Sequence, residues 1–172
     1  MVAEKLNDSD GGRKKYDIMN RGHDGFTIHG VKRILEKECI LKRPDVVSIL
    51  IGCNDVGVMM NTGKSLEEQQ FEACYEAIVK EITEQSDAKL ICMSPFIVPY
   101  PRMYENWIPG IKQTERIEKR LQKISCGLSC ASGHDNIESR KAGYESVTTD
   151  GIHLTEYGNE IIAGAWLQLF EK

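Results

Sequence analysis

Long apolar runs along the chain predict buried strands. The residues from Asp45 to Gly52 (DVVSILIG) are nearly all apolar and rich in β-branched side chains, as in strands covered on both faces. The run from Lys89 to Phe96 (KLICMSPF) predicts a second buried strand, which Pro95 ends. A shorter segment, Tyr16–Asn20, predicts a further strand ahead of these two.

Apolar residues at helical spacing predict helices between and after these runs. Ser65 and Glu68 form a capping box at the start of one helix, and Thr155 is the expected cap of the last. The inward stripes of the four predicted helices are Ile28, Val31, Ile34 and Leu35; Phe71, Tyr75, Ile78 and Ile82; Ile117, Leu121 and Ile124; and Ile161, Ile162 and Trp166.

Strands that alternate with helices predict an α/β fold with a mostly parallel sheet and helices on both faces. The length of 172 residues suits one domain, residues 1–172. Two segments depart from the alternation. Residues 1–7 (MVAEKLN) resemble the end of a helix with no strand before it, and residues 125–145, where a fifth strand is expected, lack an apolar run. We therefore expect a domain that is incomplete at its N terminus.

The composition excludes several classes of protein. Hydrophobic residues make up 41% of the chain and charged residues 28%, which is typical of a soluble globular protein. The formal net charge of −4 gives no reason to expect nucleic acid or an anionic membrane as a partner. No apolar run is long enough to span a bilayer. The first residues also lack the basic head and apolar stretch of a signal peptide.

The six cysteines predict neither a disulfide framework nor a zinc site. Cys74 and Cys92 lie inside apolar periodic segments, where a buried thiol is common. Cys126 and Cys130 lack the paired spacing and the His partners of a zinc site. We expect reduced cysteines, a cytoplasmic location and no metal.

Three loops hold residues that suggest chemistry: residues 20–27 (NRGHDGFT), 51–57 (IGCNDVG) and 150–155 (DGIHLT). In an open parallel sheet such loops can converge at one rim. Asp150 and His153 can face each other, so that the carboxylate fixes an imidazole tautomer and stabilises its protonated form. Asn54 can donate an amide N–H, and Gly25 a backbone N–H, to a developing oxyanion. Together these residues supply a base, its carboxylate partner and two oxyanion donors, which are the groups that acyl transfer at an ester requires apart from a nucleophile.

Each of these residues also has a simpler interpretation. Gly25 could serve a turn that needs positive φ. Asn54 and Asp55 could cap the loop after the strand, and we expect Asp55 to be structural. An Asp and a His three residues apart are often a surface pair. His23 beside Asp24 does not make a metal site, because the spacing places no third ligand.

The loop of residues 94–110 (SPFIVPYPRMYENWIPG) is rich in aromatic residues and follows the Lys89 strand. Its rings either pack the loop onto the sheet or line a pocket that stacks on a sugar ring or holds an acyl group. The residues concerned are Phe96, Tyr100, Tyr104 and Trp107.

The segments GCND and DGIHLTEYG closely resemble two signature blocks of the SGNH hydrolases, the GDSL esterase and lipase superfamily, and NRGHDGFT resembles a third. Order and spacing agree from about Tyr16 to the C terminus. The resemblance implies a flavodoxin-like three-layer α/β/α sandwich and ester hydrolysis without metal or organic cofactor. It also implies the site roles: His153 as general base, Asp150 as its partner, and Gly25 and Asn54 as oxyanion-hole residues. The aromatic loop resembles that of small bacterial members that act on acetylated carbohydrates.

The chain departs from the family at the nucleophile. The family's first block is an apolar strand that ends in Gly-Asp-Ser, and no such block is present. Ser9 is the nearest candidate, but a polar, helix-like segment precedes it and only a few residues separate it from the second block. We expect the serine to be absent from this chain. We also expect poor stability, because a lost internal strand leaves neighbouring backbone groups unpaired.

Two other functions stay open at this point. A non-catalytic, truncated or decayed relative would bind an acylated or glycosidic ligand at the same rim. A flavodoxin-like binding or signalling domain would need a phosphate-binding loop after its first strand. This function would also leave the DGIHLT segment unexplained.

Overall fold

The sheet contains three parallel strands in the order β1-β2-β3. These strands are β1 (Val46–Leu50), β2 (Lys89–Ser94) and β3 (Leu128–Ser132). Their register places Cys92 of β2 between Ile49 of β1 and Cys130 of β3. This computed structural model describes residues 2–9, 15–124, 128–132 and 143–171.

Helices connect the strands. They are α1 (Val2–Ser9), α2 (Ile28–Glu38), α3 (Cys53–Thr62), α4 (Phe71–Gln85), α5 (Ile108–Ile124), α6 (Tyr144–Val147) and α7 (Glu156–Phe170). The apolar spacing predicts α2, α4, α5 and α7, whereas α3 begins inside residues 51–57, which were predicted to be a loop. Short 3₁₀ turns lie at Ile40–Lys42 and Glu105–Trp107. The predicted cap of the last helix is confirmed, because the Gly158 N–H donates to Thr155 Oγ1 at 3.1 Å.

Strand β2 is covered on both faces, which makes the fold a three-layer α/β/α sandwich. Leu90 and Cys92 belong to the main core, which α2, α3, α4 and α5 also line. Ile91 and Met93 point the other way and pack against α7. The predicted stripe of α4 is buried in full at Phe71, Tyr75, Ile78 and Ile82, and burial of each such side chain contributes about 1.5–3 kcal/mol.

The predicted strand at Tyr16–Asn20 is wrong. Residues 15–20 are chain without regular structure, because a strand needs a neighbour to pair its backbone groups. A helix side chain binds the segment instead. Asn7 Oδ1 accepts the Tyr16 N–H at 2.8 Å, and the Tyr16 ring meets the Phe170 ring edge-on at 5.6 Å. Ile18 and Met19 stay almost half exposed.

Strand β3 lies within the region that the sequence left without a strand. Leu128–Ser132 contains small and polar residues, and its pairing with β2 involves backbone groups that an apolar pattern does not reveal. Residues 125–127 and 133–142, His134 among them, lie outside the described residues.

The capping box at Ser65 exists, but α4 does not begin there. Ser65 and Glu68 exchange hydrogen bonds of 2.8 and 3.1 Å between their side chains and backbone N–H groups. A left-handed residue, Gln70 with φ 55°, then interrupts the chain, and α4 begins at Phe71. The box therefore stabilises a separate turn ahead of the helix.

Strand β1 has a strand partner on one side only within the described part of the chain. Ser48 is exposed and Leu50 is 48% exposed. The α7 helix reaches this edge through Trp166, whose indole N–H donates to Ser48 Oγ at 2.9 Å. No helix in the described segments is long and apolar enough to cross a membrane.

The described cysteines Cys39, Cys53, Cys74 and Cys92 are free thiols. Cys92 is buried as expected, whereas Cys74 is only half-buried. Cys126 and the side chain of Cys130 lie outside the described residues.

Candidate active site

Asp150 organises the loop that carries His153. Its Oδ1 atom accepts the backbone N–H groups of Ile152 and His153 at 2.9 and 2.8 Å. Its Oδ2 atom lies 2.7 Å from Nδ1 of the His153 ring. Gly151 turns the chain between them with φ 103°, a conformation that suits glycine. One carboxylate therefore holds both the backbone of the loop and the imidazole.

The electrostatics of the pair follow from this contact. The hydrogen bond and negative charge of Asp150 raise the pKa of His153. Partial burial acts to raise the pKa of Asp150, but hydrogen bonds from His153 and Ile152 outweigh it and hold that pKa at about 2. The His153 side chain is 72% exposed and that of Asp150 25%. With Nδ1 engaged, Nε2 is the ring nitrogen left to accept a proton.

Gly25 lies in an exposed turn just before α2. Its φ is 73°, and an added Cβ would meet nothing within 4 Å. The neighbouring His23 ring stacks on Phe26 with ring centroids 4.5 Å apart, so this histidine packs on its own loop. The turn leaves Gly25 at the surface.

Asn54 lies in the first turn of α3 and contacts the Gly25 loop directly. Its Nδ2 atom donates to the Phe26 carbonyl at 2.9 Å. The sharp passage from β1 into α3 needs Gly52, whose φ is 119° and whose added Cβ would lie 3.2 Å from Pro95. Because Phe26 follows Gly25 in the chain, this bond holds the Asn54 side chain close to the Gly25 turn.

Asp55 is fully buried beside this contact. Its two oxygens lie 3.1 and 3.2 Å from the backbone N–H of Ile28, the first residue of α2. Burial raises the pKa of Asp55, while the hydrogen bond from Ile28 and the charge of His29 oppose the rise. The next residue of α2, His29, is exposed, and its Nε2 atom lies 2.7 Å from the Gln69 carbonyl.

Charges on these loops also act on one another. The charge of Asp24 contributes to the raised pKa of His153, after the hydrogen bond and the charge of Asp150. The pKa of the Cys53 thiol is raised to about 11 by burial first, then by the charges of Asp55 and Asp150. The contacts themselves pair Asp150 with His153 and link Asn54 to the Gly25 turn.

Aromatic residues form one side of this rim. The Tyr104 and Trp107 rings meet edge-to-face at 4.9 Å. Trp107 covers Gly57 of α3, and Tyr104 approaches Gly151 in the histidine loop. Phe96 is buried in a small core, whereas Tyr100 is 43% exposed. Phe96 therefore packs the loop onto the fold, and the later rings border the site.

A buried acidic residue of α5, Glu118, was not predicted from the sequence. Glu118 is 1% exposed and its carboxyl accepts hydrogen bonds from Tyr75 and Ser94. Burial raises its pKa to about 7 against those two bonds. The signal was present, because Glu118 lies next to Ile117 and three residues before Leu121, on the apolar stripe of α5.

The nucleophile is not assigned by these contacts. Ser9 is the last residue of α1, and its side chain lies outside the described residues. In the segments that the structure describes, no serine hydroxyl is hydrogen-bonded to the His153 ring, and no three His, Cys, Asp or Glu side chains form a group that could hold a metal ion.

The sequence matches the model of the GDSL-like lipase/acylhydrolase family over residues 1–161. The chain belongs to this family. It is 31% identical to an acetylxylan esterase of Geobacillus stearothermophilus over 155 residues, which cover 88% of the chain and 70% of that protein. It is 24% identical to a bovine isoamyl acetate-hydrolyzing esterase 1 homolog, over 92% of the chain and 70% of that protein.

Solved structures share the fold of this family member. A GDSL-like lipase from Parabacteroides merdae superposes with a TM-score of 0.86 at 21% identity, over 98% of this chain and 78% of that one. A variant of an acetyl xylan esterase from G. stearothermophilus superposes with a TM-score of 0.81 at 21% identity, over 97% of this chain and 78% of that one.

Proposed function

We propose that this GDSL-family chain carries the base and the oxyanion-binding parts of a serine-type carboxylic ester hydrolase. The observation that carries the proposal is the His153–Asp150 pair, and the bond that links Asn54 to the Gly25 turn supports it. A base oriented by a carboxylate, next to two N–H donors, is the arrangement that acyl transfer from an ester requires.

Each residue has one role in this mechanism. His153 Nε2 takes the proton of a serine hydroxyl as that oxygen attacks the ester carbonyl. Asp150 orients the imidazole and stabilises its protonated form. The Gly25 backbone N–H and the Asn54 side chain donate to the developing oxyanion. The alcohol leaves with the proton from His153, and water then releases the acyl group by the same steps.

The substrates that we propose are short-acyl esters, acetyl esters above all, of carbohydrate-like or small alcohols. The relatives support this class, since one is named for acetylxylan and another for isoamyl acetate. The edge-to-face pair of Tyr104 and Trp107 and the exposed ring of Tyr100 offer apolar surface beside the reacting groups. Sugar rings stack on such surfaces.

The nucleophile in this proposal is a serine outside these 172 residues, at the end of a further parallel strand beside β1. Three observations support this placement. The sequence contains no Gly-Asp-Ser block. Strand β1 has a described partner on one side only, and Leu50 at that edge is 48% exposed. We treat residues 1–172 as one domain that such a strand completes.

The test compares acetate release from 4-nitrophenyl acetate and from acetylated xylo-oligosaccharides by two proteins. One is the 172-residue chain, and the other is the same chain extended upstream by an apolar strand that ends in Gly-Asp-Ser, as in the first block of the family. We expect turnover from the extended chain only, and loss of that turnover when the added serine is changed to alanine. Equal turnover by the two proteins would contradict the placement of the nucleophile.

A non-catalytic ligand-binding protein is the alternative. The absence of a described serine bonded to His153 favours it, and saturable binding of an acetylated sugar without turnover in either protein would establish it. We further propose a cytoplasmic location, which the free thiols of the described cysteines support.

A further inference from the structure

Asp55 joins the Gly25 turn to the first turn of α3, the two segments that carry the proposed oxyanion donors. We infer that Asp55 is a positioning residue, which fixes the Gly25 N–H relative to the Asn54 amide before substrate binds. This inference rests on the proposed function, because it assigns the donors to an oxyanion hole. Asp55 itself is fully buried and does not face the rim.

The first link runs from Asp55 to the start of α2. Helix α2 needs an acceptor for its first N–H groups, and its N-cap residue Thr27 makes no side-chain cap bond. The carboxylate of Asp55 accepts the Ile28 N–H instead, from 27 positions along the chain. The cap of α2 is therefore supplied by the first turn of α3, and Gly25 lies only three residues before the capped N–H.

The second link comes from the adjacent residue. Asn54 donates to the Phe26 carbonyl at 2.9 Å. An amide nitrogen carries two hydrogens, so this bond leaves one for an oxyanion. Residues 54 and 55 thus bind the Gly25 turn at Phe26 and at Ile28. Two bonds from consecutive residues resist both translation and rotation of that turn.

A third set of contacts closes the arrangement behind Asp55. The Gln69 side chain donates to the Asp55 carbonyl at 3.1 Å and to the Lys64 carbonyl at 2.9 Å. The Gln69 carbonyl in turn lies 2.7 Å from His29 Nε2, which donates to it when the proton is on that nitrogen. Since His29 follows Ile28 directly, Gln69 forms a second link between α2 and α3.

A buried carboxylate is costly unless its hydrogen bonds are supplied. A cap made by a local serine, threonine or asparagine would satisfy α2 without that cost. The distant carboxylate achieves something that a local cap cannot, because it couples the position of Gly25 to that of Asn54. Preorganised donors of this kind lower the barrier to oxyanion formation.

The test uses the 15N-labelled full chain with Asp55→Asn, Asp55→Ala and the exposed control Asp87→Asn. Backbone NMR follows the amide signals of Gly25 and Ile28 and their exchange with deuterium. In Asp55→Ala we expect the Ile28 amide to exchange about tenfold faster, as loss of one such bond implies, and the Gly25 signal to move. Asp55→Asn should move the Gly25 signal less, because the amide oxygen of asparagine can still accept the Ile28 N–H. Asp87→Asn should leave both signals in place.

An unmoved Gly25 signal in a folded Asp55→Ala protein would overturn the inference. If Asp55→Ala does not fold, Gln69→Leu decides the question, because it removes the bond to the Asp55 carbonyl and should also move the Gly25 signal. In the extended, active chain, Asp55→Ala should lower kcat about 10- to 100-fold, as misplacement of donors does, with KM little changed, and Asp55→Asn should lower it less. A fully inactive extended parent would refute the proposed function, while the NMR result would still decide the role of Asp55.

Discussion

The Nδ1 atom of His153 lies 2.7 Å from Oδ2 of Asp150, while the backbone N–H of His153 donates to Oδ1 of the same carboxylate at 2.8 Å. One side chain therefore folds the loop and orients the base that the loop presents. These two effects separate in variants, because asparagine keeps an oxygen for the backbone bond but loses the charge that acts on the ring.

Asp150→Asn should lower the pKa of His153 and leave the loop folded. The parent pKa is raised by the hydrogen bond and charge of Asp150, so removal of the charge shifts the titration toward lower pH. Titration of the His153 ring signals by NMR measures this directly. In an active chain, the limb of the pH profile where His153 loses its proton should move the same way.

Asp150→Ala serves as the matched comparison for that experiment. It should lower the pKa of His153 as well, and it should also release the backbone N–H groups of Ile152 and His153. If the pKa of His153 is the same in the parent and in both variants, the 2.7 Å contact between His153 and Asp150 does not stabilise the protonated imidazole.

Gly151→Ala should destabilise the chain more than Gly63→Ala. Both glycines have positive φ, 103° and 76°, but an added Cβ meets nothing at Gly63 and lies 2.9 Å from the Val98 carbonyl at Gly151. We expect a loss of about 1 kcal/mol at Gly63 and about 3 kcal/mol at Gly151, where strain and overpacking add. Urea unfolding of the two variants gives the comparison, and equal losses would refute the close packing of the histidine loop on the aromatic loop.

Glu118 should make the stability of the chain fall between about pH 4.5 and 7. Burial raises its pKa from 4.5 to about 7, so the folded state holds the proton more tightly than the unfolded state does. The free energy of unfolding is then highest below the unfolded pKa. It decreases as the pH rises to the folded pKa, by about 3 kcal/mol in all.

Glu118→Gln should remove this decrease, because its amide is neutral at every pH and has a similar shape. Urea unfolding of the parent, of Glu118→Gln and of the exposed control Glu36→Gln at pH 5, 6, 7 and 8 tests the expectation. The control should follow the parent. If Glu118→Gln follows the parent as well, the carboxyl of Glu118 is not the group that titrates.

The sequence predicted those elements whose signal is local. The stripe of α4 repeats every three to four residues, and the same positions are buried in the structure. The Asn54 segment was predicted from its place after a buried strand, at the carboxyl end of a parallel sheet, whereas the Gly25 loop, which follows no described strand, was predicted from its resemblance to a family block. Such predictions need only the residues of one segment and no knowledge of its distant partners.

Features that depend on distant partners were missed. Tyr16–Asn20 has a strand-like composition, yet no described strand pairs with it. Leu128–Ser132 lacks an apolar run, yet β2 pairs with it. Asp55 was expected to be structural, but its bond to Ile28 spans 27 positions and no local pattern reveals which helix it caps. These contacts depend on how the chain folds back on itself.

The most direct test of the central claim is the turnover of 4-nitrophenyl acetate by the strand-extended chain with His153→Ala, against the exposed control Glu160→Ala on α7. We expect His153→Ala to lower kcat at least about 10³-fold, as loss of the general base does in serine hydrolases. Glu160→Ala should stay within about twofold of the parent, as exposed substitutions away from a site do. Unchanged turnover in a folded His153→Ala protein would contradict the claim that this histidine is the base of an ester hydrolase.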